Sequence, residues 1–299
     1  MLPFFRTMEL SLVYHAGALG DFLTTLPAMR AWRRLHPADR IVLLGKSELA
    51  ELAPRGLFDD AWEARSSFFA PLFSGNREAP SPPGMRMRGF QSALLFSSAS
   101  SGLSASLKGL GLQEIIQQEP LPTGRMHAVD YHLGLFPGLT FTLEDRVPQI
   151  SRAGNAAAVS PGTAALHPGS GNPRKNWPLE KFRALAAGLE QAGLSVRWVL
   201  GPAEAGLMLP AGAEAWRNVR LADIAASLAA CDLFVGNDSG VTHLSAAAGC
   251  ATVALFGATD PAVWAPRGRC VRVITAPEGT VEALSVDSVL SECCDVLRR

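Results

Sequence analysis

Short apolar runs alternate along the chain with segments in which apolar residues recur at helical spacing. Most of these runs end in glycine or small polar residues, which end a strand and begin the helix that follows. The runs predicted as strands are residues 10–14, 41–44, 91–96, 114–117, 164–166, 195–200, 233–235, 252–256 and 271–275. This alternation favours an α/β fold of parallel sheets with right-handed crossovers, whose ligands bind beyond the carboxyl ends of the strands.

Residues from about 144 to 162 lack periodicity and are rich in alanine, serine, glycine and proline. We interpret them as a linker between two lobes, residues 1–150 and residues 151–299. The closing helix is predicted over 281–297 and is a candidate to pack back on the first lobe.

The polar turn at 236–240 joins the strand at 233–235 to a helix that Gly249 can end. Asp238 or Ser239 is predicted to cap this helix, with Thr242 and His243 in its first turn. A helix N-terminus beyond a strand end is a binding site for phosphate groups in many α/β proteins. Two interpretations stay open, a phosphate site and a turn that only caps its own helix.

The first strand is followed by a similar turn, in which Gly17 and Gly20 precede Asp21. His15 stands where a dinucleotide-binding fingerprint needs its first glycine, and Lys46 stands where an NAD site needs an acidic residue. A nicotinamide dehydrogenase is therefore disfavoured. Asp21 is interpreted either as a catalytic carboxylate or as a helix cap.

Pro27 falls inside the helix that Asp21 opens. It predicts either a later helix start, capped by Thr24 or Thr25, or a kinked first turn. Arg30, Arg33 and Arg34 lie off the apolar stripe of this helix, toward solvent or ligand.

The alternation of strand and helix patterns is absent over residues 66–89, where prolines and glycines surround the aromatic group at 68–73. Arg77, Arg86 and Arg88 lie in the same segment. One interpretation is a long connection whose aromatic residues pack on the core. The other is a flexible wall that meets an amphipathic, anionic acceptor.

In the second half, the strand at 164–166 runs into a loop that carries Gly169, Ser170 and Lys175. Glycine permits close backbone approach, and a hydroxyl and a mobile positive charge suit an anionic ligand. Glu204 follows the strand at 195–200, where it would accept hydrogen bonds from ribose hydroxyls or act as a first-turn acid.

Composition narrows the class of protein. Hydrophobic residues make up 48% of the 299 residues and charged residues 18%, as in a globular chain. The 27 basic and 27 acidic residues balance, which argues against nucleic acid as the main partner. Five cysteines without C-x-x-C spacing predict reduced thiols in a cytoplasmic protein and no zinc site.

No apolar run approaches the length of a membrane-spanning helix. The segment before Met8 is too short for the apolar region of a signal peptide, and Met8 is a candidate for the true start.

Five motifs in order resemble glycosyltransferase family 9, the ADP-heptose:lipopolysaccharide heptosyltransferases. They are Gly20-Asp21 with Pro27 and the arginine-rich helix end, His167-Pro168-Gly169-Ser170, Lys175-Asn176-Trp177-Pro178, the turn and helix start at 236–243, and the segment 256–261. The resemblance covers residues from about 9 to 268, and the region from about 55 to 145 matches only in general layout.

The resemblance implies a GT-B fold, in which two Rossmann-like lobes face a cleft and the second holds a nucleotide-sugar donor. Asp21 would be the catalytic acid/base, and Lys175 would be the second catalytic residue, whose charge acts on the diphosphate. The residues implied to bind the donor are Gly20, Ser170, Lys175, Glu204, Asp238, Ser239, Gly240, Thr242 and His243. Those implied on the acceptor side are Arg30, Arg33, Arg86 and Arg88.

The implied reaction inverts the anomeric centre without a cofactor or bound metal, because Lys175 and helix N–H groups would balance the leaving diphosphate. Asp21 would accept the acceptor's proton, or else stabilise positive charge on the sugar. The acceptor would be a lipid-linked glycan, met in the cytoplasm or peripherally at the inner membrane. Two alternatives stay open: transfer from another nucleotide sugar, and nucleotide or glycan binding without turnover.

Overall fold

The computed structural model describes residues 9–74 and 86–298, which form two parallel sheets. The strands of the first sheet are β1 (Leu10–His15), β2 (Arg40–Gly45), β3 (Asp60–Glu63), β4 (Phe90–Phe96) and β5 (Glu114–Gln118), in the order β3-β2-β1-β4-β5. Those of the second are β6 (Thr163–His167), β7 (Ser195–Leu200), β8 (Glu214–Arg217), β9 (Leu233–Asn237), β10 (Thr252–Phe256) and β11 (Val271–Thr275), in the order β11-β10-β9-β6-β7-β8.

Helices cover both sheets. They are α1 (Leu19–Leu35), α2 (Ser47–Ala50), α3 (Leu103–Gly109), α4 (Ala128–Leu133), α5 (Leu179–Gln191), α6 (Leu221–Leu228), α7 (Gly240–Ala248), α8 (Pro261–Trp264) and α9 (Val286–Leu297). Short 3-10 turns lie at Ser67–Phe73, Ala99–Ser101, Glu144–Arg146, Pro173–Lys175, Pro202–Glu204, Pro277–Gly279 and Val281–Ala283. None of the helices in the described ranges has the length and hydrophobicity that crossing a bilayer requires.

The predicted strand–helix alternation is confirmed, and so is the local chemistry of α7. The Ser239 side chain caps this helix by accepting a hydrogen bond from the Thr242 N–H, and Gly249 ends it at a φ of 91°. That left-handed conformation favours glycine. The edge strands β3 and β8 were not predicted, because two of the four residues in each are charged and the apolar pattern is weak.

Pro27 does not delay α1, so the later helix start predicted from it is wrong, and the kinked first turn stays a prediction. The helix begins at Leu19 and continues through the buried proline. The hydroxyls of Thr24 and Thr25 donate to the carbonyls of Asp21 and Phe22 at 2.9 and 2.8 Å, inside the helix rather than at its start. Tertiary packing around this buried segment holds a helix that local sequence disfavours.

The last helix also differs from expectation. α9 packs against α5 and β11 of the second sheet, with Val289 and Cys293 fully buried there, and not on the first lobe. In the segment at 66–89, the aromatic group packs on the core as one interpretation predicted: Phe69 and Leu72 are buried in the core of the first sheet. Residues 75–85, which include Arg77, and Met8 with the chain start lie outside the described residues.

One apolar core runs through both halves of the chain. It joins Phe22 and Trp32 of α1 to Phe234 of β9 and Leu244 of α7. Two further cores cover the outer faces of the two sheets. The helices α1 and α7 therefore pack on each other in the middle of the molecule.

The closest approach of these two helices is at their first turns, where glycine faces glycine. A Cβ on Gly240 would lie 2.9 Å from the Cβ of Leu19 and 3.0 Å from the backbone nitrogen of Gly20. A Cβ on Gly20 would lie 3.5 Å from the Cα of Gly240, an ordinary contact. Of the two positions, Gly240 is therefore the one that has no room for a side chain.

This asymmetry predicts that Gly240→Ala destabilises the protein and Gly20→Ala does not. Alanine at 240 must push α1 and α7 apart, at a cost of about 1–3 kcal/mol, although alanine favours an isolated helix. Urea unfolding of both variants measures the difference, with Gly206→Ala as a control because a Cβ there meets nothing within 4 Å. A Gly240→Ala protein as stable as the wild type would contradict the packing argument.

Candidate functional site

The candidate site lies where β1 and β9 end and α1 and α7 begin. The two helix N-termini come together at Gly20 and Gly240, so their unpaired N–H groups and dipoles converge on one region. A region of this kind favours an anionic ligand.

Asn237, the last residue of β9, organises the loops around α7. Its side chain is fully buried; Oδ1 accepts a hydrogen bond from the Trp177 N–H at 2.9 Å, and Nδ2 donates to the Pro168 carbonyl at 2.8 Å. One amide thus fixes two loops that lie about 60–70 residues earlier in the chain. The sequence motif contained this residue, but its role was not predicted.

Asp238 and Lys175 form an ion pair at the mouth of the same turn. The Lys175 ammonium donates to Asp238 Oδ2 at 2.7 Å, and the Thr259 hydroxyl donates to the same oxygen at 2.6 Å. The Asp238 side chain is 7% exposed and that of Lys175 is 27% exposed. The pair therefore holds the ammonium at the surface of the site in a defined direction. The contribution of Thr259 was not foreseen from the sequence.

The hydroxyls of Ser239 and Thr242 are used within the turn. They lie 3.1 Å apart, and the fully buried Thr242 donates to the Asn237 carbonyl. Thr242 therefore shapes the start of α7. Its predicted role in donor binding stays a prediction.

His243 is buried beneath this turn. Burial lowers the pKa of His243 to about 4, the Asp238 carboxylate opposes that shift, and His127 and Lys175 add to it. The ring is thus neutral near pH 7. A hydrogen bond to the Trp264 backbone also opposes the shift and holds the ring in place.

Gly169 and Glu204 join the loops after β6 and β7. A Cβ on Gly169 would lie 1.9 Å from Glu204 Oε1, so only glycine lets the buried carboxylate pack there. Glu204 Oε2 accepts from the Gly201 N–H at 2.9 Å. Ser170 is held by Asn176, with 2.6 Å between the hydroxyl and the amide oxygen. The two predicted donor residues, Ser170 and Glu204, are thus positioned by their own loops.

Asp21 lies in the first turn of α1, where Oδ2 accepts a hydrogen bond from the Ala18 N–H at 3.1 Å. This is the capping contact that one interpretation predicted. The carboxylate is only partly buried, so the capping bond leaves it within reach of a ligand. The catalytic role stays a prediction.

The four arginines expected on the acceptor side differ in their surroundings. The Arg33 guanidinium donates to the carbonyls of Leu57 and Asp39 and to the Asp59 carboxylate, so it fastens the end of α1. The acceptor role expected for Arg33 stays a prediction. The Arg30 guanidinium lies 3.9 Å from the Asp145 carboxylate.

Arg86 and Arg88 both lie on the surface just beyond the segment at 75–85. The Arg86 guanidinium lies 4.1 Å from the centre of the Trp62 ring, a cation–π distance. Arg30, Arg86 and Arg88 remain predictions for the acceptor side.

Contacts between the halves of the chain close one end of the site. His127 Nε2 lies 2.9 Å from the Ala265 carbonyl, Arg125 pairs with Asp260 at 3.1 Å, and Arg267 pairs with Asp130. All three join the start of α4 to the region around α8. Nothing local in the sequence signalled them, since the partners are more than 130 residues apart.

Within residues 9–74 and 86–298, no group of three or more histidine, cysteine, aspartate or glutamate side chains is arranged to hold a metal ion. The cysteines are free thiols. Burial raises the pKa of Cys231 and of Cys293 to about 12, so both are inert at neutral pH.

Comparison with known proteins identifies the architecture. The family model for glycosyltransferase family 9 (heptosyltransferase) matches residues 126–292, more than half of the chain. No curated protein sequence matches the chain closely enough to count as a relative.

Similar solved structures cover nearly the whole chain. The glycosyl transferase family 9 protein from Veillonella parvula DSM 2008 is 17% identical, with a TM-score of 0.76 over 97% of each chain. The ADP-heptose lps heptosyltransferase II of E. coli is 19% identical, with a TM-score of 0.75 over 97% of this chain and 99% of that one. The E. coli heptosyltransferase WaaC with ADP is 18% identical, with a TM-score of 0.67 over 96% and 99%. The predicted GT-B fold is confirmed.

The Asn237 contacts predict that Asn237→Ala costs about 2–4 kcal/mol of unfolding free energy, because it leaves a buried N–H and a buried carbonyl without partners. Asn176→Ala is the matched control, since the Asn176 side chain is only partly buried and holds a single hydroxyl. Urea unfolding compares the two. Equal losses would show that Asn237 does not organise the loops.

Buried histidines predict acid sensitivity of the fold. Burial lowers the pKa of His132 to about 4, against about 6.5 in an unfolded chain. Between these values the unfolded state binds more protons, so stability falls as pH falls from 6.5 to 4 and then levels off. His15 and His243 act in the same direction.

The test is urea unfolding at pH 7 and at pH 4.5 for the wild type and for His132→Asn, which removes the titrating ring. The variant is expected to lose about 1–3 kcal/mol less than the wild type over this window. Identical losses would contradict a neutral, buried His132.

Proposed function

Since this chain belongs to glycosyltransferase family 9 and is therefore a glycosyltransferase, we propose that it moves a heptose or a related sugar from a nucleoside diphosphate to a glycan. The donor proposed is ADP-heptose. The second half of the chain, residues 151–299, binds this donor, and the first half, residues 1–150, binds the acceptor.

The observation that carries this proposal is the Lys175–Asp238 pair beside the converging N-termini of α1 and α7. A positive charge and free helix N–H groups are what a diphosphate needs, and both lie at the carboxyl edge of the second sheet. Asp238 binds Lys175 before the donor arrives and so keeps the ammonium directed at the site. Glu204, buried beside Gly169, is proposed to accept hydrogen bonds from the ribose hydroxyls.

The proposed step is a single displacement. An acceptor hydroxyl attacks the anomeric carbon, the new C–O bond forms as the bond to the diphosphate oxygen breaks, and Asp21 takes the hydroxyl proton. Attack opposite to the leaving group inverts the anomeric centre. Lys175 and the helix N–H groups stabilise the negative charge that develops on the diphosphate, so the proposed step uses no metal.

The acceptor proposed is a lipid-linked glycan such as a lipopolysaccharide core. Arg30, Arg86 and Arg88 supply positive charge in the first half of the chain, and the side chain of Phe68 is 37% exposed. We propose that this side of the protein meets the acceptor peripherally at the cytoplasmic face of the inner membrane.

Donor and catalytic roles are separated by two variants. Asp21→Asn is expected to lower kcat by about 100-fold or more with little change in ADP binding, because it removes the proton acceptor. Lys175→Met is expected to weaken ADP binding at least tenfold. Arg174→Met is the control, since Arg174 is an exposed cation next to Lys175.

The measurements are calorimetric ADP binding and mass-spectrometric detection of transfer from ADP-heptose to a lipopolysaccharide inner-core acceptor. Thermal shifts with ADP, UDP, GDP and NAD identify the base. Stabilisation by NAD alone would overturn the transferase proposal, and near-normal turnover by Asp21→Asn would remove Asp21 from the mechanism.

A further inference from the structure

His15, the last residue of β1, is a polar side chain placed among aromatic rings. It is 2% exposed, and its ring lies edge-on to Phe22 and Phe96, with centroids 5.3 and 6.0 Å away. The sequence pointed to this position only because it breaks a dinucleotide-binding fingerprint. The reaction proposed above does not use it.

Among the residues that the structure describes, the buried Nδ1 atom of His15 has no hydrogen-bond partner. An orphaned polar atom of this kind is costly, and its presence in a folded protein calls for an explanation, of which a role toward a ligand is one. Burial, with smaller effects from His132 and Lys46, outweighs the opposing effect of the residue's own backbone and lowers the pKa of His15 to about 3, so the ring is neutral. A neutral imidazole carries one hydrogen-bond donor and one acceptor.

The orphaned ring stands across Gly17 from the proposed catalytic carboxylate. A Cβ on Gly17 would lie 3.0 Å from His15 Cε1 and 3.1 Å from Asp21 Oδ2. Cε1 is bonded to both ring nitrogens, so the polar edge of the imidazole faces this position. Glycine at 17 places no side chain between the two groups.

We propose that His15 is an acceptor-binding residue, whose Nδ1 hydrogen-bonds a hydroxyl of the acceptor sugar beside the hydroxyl that Asp21 deprotonates. This inference rests on the proposed transferase function and adds a specificity residue to it. Two fixed groups select an acceptor with two adjacent hydroxyls and hold the attacking one in line with the donor. The orphaned nitrogen then has its partner when the acceptor is bound.

A purely structural histidine would behave differently. If the ring only fills space between Phe22 and Phe96, then phenylalanine would replace it without loss of activity. Because His15→Phe also removes a buried orphan, its melting temperature is expected to equal or exceed that of the wild type. Activity and stability are therefore expected to change in opposite directions.

The experiment compares His15→Phe, His15→Asn and His15→Gln, since the asparagine amide reaches the place of Nδ1 and the glutamine amide that of Nε2. The substrates are ADP-heptose and a deacylated lipopolysaccharide inner-core oligosaccharide. We expect His15→Phe to lower kcat/KM for the oligosaccharide at least tenfold, His15→Asn to recover most of the loss, and His15→Gln to recover little. ADP affinity is expected to stay within twofold in all three.

Unchanged kcat/KM in His15→Phe, equal recovery by asparagine and glutamine, or a parallel loss of ADP affinity would each overturn the inference. A wild-type protein that binds ADP but transfers no sugar would overturn the proposed function as well. Transfer by the wild type that His15→Phe leaves intact would overturn only the role of His15.

Discussion

The contact between the first turns of α1 and α7 is the constraint on which the site depends. Gly240 lets the two backbones meet, and the central core joins the helices behind that point. Each helix would expose its unpaired N–H groups in any fold, but only this approach brings both sets to one place. It also sets Asp21, near the start of α1, on the same side as Lys175 and Asp238. A shift of either helix would separate groups that chemistry requires to act together.

Around that contact, hydrogen bonds from a few buried polar side chains hold the loops in place. Asn237 holds the loops that carry Gly169 and Lys175, and Asp238 with Thr259 holds the lysine ammonium. These loops lie outside the strands, and their regular structure is the short 3-10 turn at Pro173–Lys175. The shape of the loops is defined by buried amides and carboxylates that have their hydrogen-bond partners. Any other loop conformation would leave these groups without partners, which is costly in a low-dielectric interior.

Local chemistry made much of this predictable from the sequence. Strand ends, the Ser239 cap and the Gly249 stop depend on neighbours within a few residues. Long-range partners were out of reach. Nothing near Arg33 in the sequence showed that Leu57 and Asp59 would bind its guanidinium. The later helix start predicted from Pro27 is wrong for the same reason, since the core that packs around α1 comes from distant segments.

The shared core limits which halves of related chains can be combined in a chimera. Phe22 and Trp32 belong to one half of the chain and Phe234 and Leu244 to the other, yet they pack in one cluster. A chimera that joins the first half of this chain to the second half of a relative would bring together helix faces with unrelated shapes. Donor preference would thus be transplanted only if the α1 and α7 faces travelled with it, whatever loops line the site.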